Sequence, residues 1–279
     1  MSNIHMEYLF QDRESVSPDG LSDYSTLDFA SSGKHLYGVL LWPDGAYRES
    51  RPCVLMFHGF PGSARNDDIA QALCRIGCVV VVPHHRGAWG SEGNYLISHC
   101  IEDAVNLAQY VRSAEFCDKY RVDPDAIFLL GHSMGGNTVL NAARALPWLR
   151  GLILLAPFDP TRYLQDGREH LLRELLKQGS ILRSDGLEEI YRDIYDHRKE
   201  IAFTAVPEKL REQNLLILAG EYDKCAPPEE MVMPLWDLLA QHPTSAVQRL
   251  KVYPTEHGLL GRRIAATTDI AEFLAAACP

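Results

Sequence analysis

Three residue types that together can activate a hydroxyl are spread along the chain as Ser133, Asp223 and His257. A serine is a poor nucleophile at neutral pH unless a base takes its proton. A histidine can be that base, and a carboxylate behind it orients the ring and steadies its positive charge. Ser133 sits inside Gly131-His132-Ser133-Met134-Gly135-Gly136, directly after the apolar run from Ala126 to Leu130. A helix-compatible segment follows, from Asn137 to Leu146. Strand, sharp turn and helix with a serine at the apex is the geometry of a nucleophile elbow. The turn presses the residues two before and two after the serine against neighbouring backbone, so Gly131 and Gly135 have to be glycines. Ser133 then stands clear of the sheet, and the Met134 amide is free to donate to an oxyanion.

His257 lies in Glu256-His257-Gly258, just after a strand-like run, where a loop can carry it over Ser133. Asp223 closes Gly220-Glu221-Tyr222-Asp223 at the end of the preceding strand-like run. Asp159 also follows a strand and competes for the carboxylate role. Glu221 and Glu256 read as solvated charges. His84, His85 and His132 are near the same chemistry but precede the elbow or lie in it. A second oxyanion donor is expected from His58-Gly59-Phe60-Pro61-Gly62. Pro61 has no N–H, so the pair of donors is Phe60 and Met134. Trp89 and Tyr163 are expected to bind substrate, with Phe60, Met134 and Phe158 completing an apolar or aromatic acyl pocket. Arg86, ahead of the loop Gly87 to Gly93, could pin loops or meet substrate. Cys74, Cys78, His84 and His85 superficially suggest zinc, but they fall on diverging elements. No phosphate-binding glycine motif is present, so no metal and no cofactor are expected.

These side chains need elements that bring them to one place. Tyr24 to Trp42 reads as two strands about a Ser31-Ser32-Gly33-Lys34 turn. Cys53–Phe57, Cys78–Val82, Ala126–Leu130, Leu152–Ala156, Leu215–Ala219 and Gln248–Tyr253 are short β-type runs. Helical segments are expected over Asp67–Ile76, Ile101–Val111, Met231–Gln241 and Arg262–Ala276, with Asp123-Pro124-Asp125 a turn before the elbow strand. The alternation gives an α/β fold, a mostly parallel sheet covered on both faces. Open sheets of this kind gather their sites at the carboxyl ends of strands, where Ser133, Asp223 and His257 all fall. One block breaks the pattern: residues 159–213 carry no strand-like run but two amphipathic helices, His170–Lys177 and Leu187–Tyr195. This is read as a helical insertion over the strand ends that touches substrate. The division expected is a core of 24–158 and 214–278, an insertion of 159–213, and a peripheral segment of 1–23.

Bulk properties remove other classes. The chain of 279 residues has 27 Lys plus Arg against 37 Asp plus Glu, a formal charge of −10. That is no footprint for nucleic acid. No apolar run reaches the roughly 18 residues of a membrane span, and Met1 to Glu14 lacks the pattern of a signal peptide. Seven scattered cysteines fit free thiols in a reducing cytoplasm. Nothing in the pattern sets an oligomeric state.

The series His58-Gly59-Phe60-Pro61-Gly62, Arg86-Gly87, Gly131-His132-Ser133-Met134-Gly135-Gly136, Gly220-Glu221-Tyr222-Asp223 and Glu256-His257-Gly258 resembles the motif series of the α/β-hydrolase superfamily. The order serine, acid, histidine is also the one that fold uses. Within it the chain resembles the cytosolic esterase and serine-aminopeptidase-like group, which includes cinnamoyl esterases. The resemblance spans about residues 24 to 278. It implies an eight-stranded sheet, a small helical cap after the sixth strand, a triad of Ser133, Asp223 and His257, and no cofactor. One departure is His84-His85 ahead of Arg86-Gly87, where the family often has Asp or Tyr. The expected function is a serine esterase that cleaves small-molecule carboxylic esters through an acyl-enzyme. A peptidase would need a carboxylate for the substrate amine, from Asp185, Glu188 or Glu189. A ligand-binding protein that keeps the fold without much turnover is the other alternative. If His257 titrates near its ordinary value, ester hydrolysis falls at about pH 6–7.

Overall fold

The central strands form from runs of residues that are apolar on both faces. In the computed structural model, which describes residues 3–17, 20–205 and 207–278, eight strands form one sheet. They are β1 (Asp23–Ser31), β2 (Lys34–Trp42), β3 (Arg51–Phe57), β4 (Val79–Pro83), β5 (Val122–His132), β6 (Gly151–Leu155), β7 (Asn214–Gly220) and β8 (Gln248–Tyr253). Their order across the sheet is β1-β2-β4-β3-β5-β6-β7-β8. β1 and β2 pair antiparallel, as do β2 and β4, and every later pairing is parallel. The chain therefore has the α/β architecture expected, eight strands and mostly parallel. Residues 1, 2, 18 and 19 of the expected peripheral segment, and residue 206 of the insertion, lie outside the described residues.

The period-two rule sorts the strands' side chains into two cores. Cys53, Leu55 and Phe57 of β3 face one side with Ile127, Leu129, Leu152, Leu154, Leu215 and Ile217. Val54 and Met56 face the other with Phe128, Leu130, Ile153, Leu155, Leu216 and Leu218. Helices close both. α1 (Asp67–Arg75) buries Ile69 and Leu73 on the second side, as the C-terminal helix buries Ile270, Phe273 and Leu274. α2 (Ile97–Val111), α3 (Ala114–Tyr120) and α4 (Met134–Ala142) cover the first. Each fully buried aliphatic or aromatic side chain is worth about 1.5–3 kcal/mol of transfer free energy.

Between β6 and β7 the described chain contains only helical elements. A 3₁₀ turn at Pro160–Leu164 leads to α5 (Glu169–Leu176), a 3₁₀ segment at Lys177–Ile181, α6 (Leu187–Asp196), α7 (Arg198–Ile201) and α8 (Pro207–Leu210). This stretch is bolted to the rest. The backbone of Arg183 exchanges hydrogen bonds with Gly87 and Tyr95, each 2.8 Å. The buried Asp159 accepts from the amide of Phe203 at 2.9 Å. Asn137 and Asn141 of α4 both donate to the carbonyl of Ile201. After β7 come α9 (Pro228–Met231), α10 (Met233–Ala240), β8 and α11 (Arg263–Ala277).

Three local expectations are corrected. α2 begins at Ile97, four residues before the expected Ile101, because its start is capped from a distance. The amide and hydroxyl of Ser98 both donate to Asp193 of α6. The segment 123–125 lies inside β5 as a bulge: Arg51 faces Val122, yet Cys53 faces Ile127. The helix expected over Met231–Gln241 starts two residues later, as α10, behind the separate turn α9, with Pro234 unable to supply an amide for one continuous ladder.

Candidate active site

β5 ends in a turn that only glycine permits. A Cβ on Gly131 would stand 2.2 Å from the carbonyl oxygen of Gly135, and one on Gly135 would stand 2.3 Å from that of Phe57. Between them Ser133 takes φ 55° and ψ −122°. A non-glycine residue in so sparse a region costs about 1–3 kcal/mol, supplied by surrounding contacts. Here the Ser133 amide donates to Leu155, and its carbonyl accepts from Gly136 and Phe158. The residue is 7% exposed, yet its hydroxyl opens onto a cleft. Met134 follows as the first residue of α4, so its amide is one of the donors that a helix cannot pair within itself.

β7 and β8 end alongside. Asp223 follows β7 and is buried. Its Oδ1 accepts from the amides of Cys225 and Ala226, each 2.8 Å. Its Oδ2 lies 2.7 Å from His257 Nδ1. His257 Nε2 lies 2.9 Å from Ser133 Oγ. A carboxylate only accepts, so Nδ1 carries a hydrogen and Nε2 of the neutral ring is left to accept from the hydroxyl. Burial favours the uncharged ring, but the Asp223 hydrogen bond and charge, with the Cys225 sulfur adjoining, outweigh it. The pKa of His257 is raised above the usual histidine value. This corrects the expectation of an ordinary value.

The loop after β3 runs beside the serine. A Cβ on Gly59 would stand 2.8 Å from Ser133 Cβ, so the backbone of Gly59 touches the serine and the next amide is that of Phe60. The Phe60–Pro61 peptide is cis. His58 and His85 lock this loop. His58 Nδ1 donates to the Gly59 carbonyl at 2.8 Å, and its Nε2 accepts from the His85 amide at 3.2 Å. His85 Nε2 donates to the His58 carbonyl at 3.0 Å. Burial lowers the pKa of both, that of His85 to about 4, so neither carries charge at neutral pH. The unusual His84-His85 pair thus supports the loop through His85, while His84 sits by Arg65.

The cleft, of about 300 Å³, is lined from the ends of five strands, by Phe60 after β3, Met134 after β5, Phe158 after β6, Cys225 after β7 and Glu256 after β8. Leu175 and Gln178 reach it from the helical stretch after β6. Gly179 of that stretch lies against the Phe60 ring, so closely that an added Cβ would stand 2.4 Å from it. Trp89 and Tyr163, expected on the wall, do not line the cleft. Trp89 is 52% exposed and donates through its indole N–H to Gly62. Tyr163 stacks on Phe158 and donates to the Cys225 carbonyl. Each supports a wall residue from behind. Arg86 pins loops: it is buried against Asp103 and Glu102, which also bind Ser31 and Ser32. Asp159 holds Thr161 and Phe203, and bonds no histidine.

The clamps of the His257 loop were not legible as such. Glu256, read as a solvated charge, accepts from the amides of Gly258 at 2.6 Å and Leu260 at 2.8 Å. Arg263 donates to the Gly258 carbonyl and to Asn66, and forks onto Asp68. Among the described residues no group of three or more His, Cys, Asp or Glu could hold a metal ion, and no helix is long and apolar enough to cross a membrane.

Known proteins are similar to this chain over part or most of its length. Residues 48–184 match the family described as serine aminopeptidase, S33. The lysophosphatidylserine lipase ABHD12 of Danio rerio is 30% identical over 137 residues, which are 46% of this chain and 33% of that protein. The match thus spans only a third of that relative's length. The putative esterase YitV of Bacillus subtilis is 26% identical over 214 residues, 74% of this chain and 81% of its own. The solved structure of brefeldin A esterase, a bacterial homologue of human hormone sensitive lipase, superposes with a TM-score of 0.67 at 19% identity, covering 97% of this chain and 81% of that one. With this sheet order, this elbow and these structural neighbours, the chain has the α/β-hydrolase fold.

Proposed function

We propose that the protein is a serine hydrolase that cleaves small carboxylic esters through an acyl-enzyme. The observation that carries this reading is the unbroken chain of contacts from Ser133 Oγ to His257 Nε2 at 2.9 Å, and from His257 Nδ1 to Asp223 Oδ2 at 2.7 Å. Ser133 Oγ attacks the ester carbonyl as its proton passes to His257. The Phe60 and Met134 amides receive the negative charge that forms on the carbonyl oxygen; losing one such donor typically costs about 10²–10³ in rate. The tetrahedral intermediate collapses, His257 returns the proton to the departing alkoxide, and an alcohol leaves. Water then attacks the acyl-serine with His257 again as base, releasing a carboxylic acid and restoring Ser133.

The cleft favours esters over peptides. A peptidase working from the N-terminus needs a carboxylate aimed at an amine. Asp185 is held by Asn94, Glu188 by Arg173, and Glu189 accepts from the Asp185 amide. Glu256 lines the cleft, but both its oxygens are taken by backbone amides. Phe60, Met134, Phe158 and Leu175 instead offer apolar contact to an acyl group of modest size. We read 159–213 as a cap that closes this cleft from above.

A fluorophosphonate probe tests the assignment. The wild-type protein is expected to be labelled on the peptide that contains Ser133, and Ser133→Ala to remove the label. Persistent labelling at another serine would reject it. Turnover of p-nitrophenyl esters, methyl cinnamates and aminoacyl anilides by the same two proteins then ranks ester against amide.

A further inference from the structure

His132 ends β5 and directly precedes Ser133, but its ring turns to the loop after β8. Its Nε2 lies 3.2 Å from the carbonyl oxygen of His257. A carbonyl can only accept, so Nε2 carries the hydrogen. The two imidazoles are 5.1 Å apart, tilted by 41°. Burial, with His257 close by, lowers the pKa of His132 to about 4, so it is a neutral ring at working pH. Its other nitrogen, Nδ1, is buried with no hydrogen-bond partner among the described residues. An unpaired buried acceptor is a cost that an apolar side chain of similar size would avoid. What histidine adds here is one donated bond.

We infer that His132 is a positioning residue for the base: it grips the His257 peptide and thereby sets that imidazole between Asp223 and Ser133. The inference rests on the reading of His257 as general base. The division of labour around the loop supports it. Glu256 holds the amides of Gly258 and Leu260, and Arg263 holds the carbonyl of Gly258. His132 holds the carbonyl of the base itself. It does so from the strand that carries the nucleophile, so serine and base are tied to each other outside the reacting contact. A relay is sensitive to such ties, since a misplacement of about 1 Å can cost about 10²-fold in rate.

His132→Gln and His132→Met test this, being similar in length and differing in the donor. Both are assayed on p-nitrophenyl acetate beside the wild type. The Met variant is expected to lose about 10- to 100-fold in kcat with KM within about twofold, and the Gln variant to recover most of that loss. Equal kcat in the two variants, whether near wild type or both impaired, would overturn the role. A second measurement needs no variant: ¹⁵N-histidine NMR of the wild type at neutral pH should show His132 as the neutral Nε2–H tautomer, and the Nδ1–H tautomer would overturn it. Ser133→Ala run in parallel separates the two claims. If it keeps full turnover, the nucleophile-and-base reading fails. If it is dead while the Gln and Met variants are equal, only the role of His132 falls.

Discussion

At the scale of single residues the site is a problem in holding an imidazole. Asp223 spends one oxygen on two backbone amides and the other on His257, so the carboxylate cannot rotate without losing bonds. Its charge raises the His257 pKa, and this fixes the sign of the pH dependence. Only the neutral ring can accept the serine proton. On the proposed mechanism hydrolysis is expected to rise with pH through the His257 value and to fall below it, with that acid limb above the ordinary 6.5. Asp223→Asn removes the charge and leaves burial, which favours the neutral ring, so the limb should move down to about 6.5 or below. Rate against pH from 5 to 10 for both proteins checks this; limbs that coincide would mean Asp223 does not set the base.

At the scale of elements, the strands and the elbow were legible because each is a local pattern. Cys53–Phe57 and Leu152–Leu155 are apolar on both faces, and Gly131 and Gly135 bracket the serine at the spacing the turn requires. What was not legible depends on partners far away in the chain. The start of α2 is capped by Asp193, 95 residues downstream of Ser98, and no local signal marks it. Trp89 and Tyr163 are aromatic residues suited to a pocket wall, but their orientation is set by Gly62, Phe158 and Cys225, which sequence spacing does not reveal. Glu256 resembled any exposed acid because its partners are backbone amides, which have no letter in a sequence. The Asp193 contact makes a stability prediction. Asp193→Ala leaves the Ser98 amide and hydroxyl unpaired and should cost about 1–3 kcal/mol. Urea unfolding measures it, and a loss under about 0.3 kcal/mol would show the contact to be idle.

At the scale of the molecule, the candidate site belongs to no single segment. Phe60 follows β3, Ser133 follows β5, Asp223 follows β7 and His257 follows β8, and the parallel sheet delivers all four to one edge. The two halves of the chain are also stitched near the cleft, where Arg263 at the start of α11 forks onto Asp68 at the start of α1. The site is thus a property of the assembled sheet, and its members should act as one unit. Groups that act as one unit do not lose rate additively when removed. The direct measurement is kcat/KM on one p-nitrophenyl ester for Ser133→Ala, His257→Ala and the double variant. Each single change is expected to cost about 10⁴-fold or more, and the double no more than the worse single. Losses that multiply in the double variant would mean that Ser133 and His257 do not share a proton.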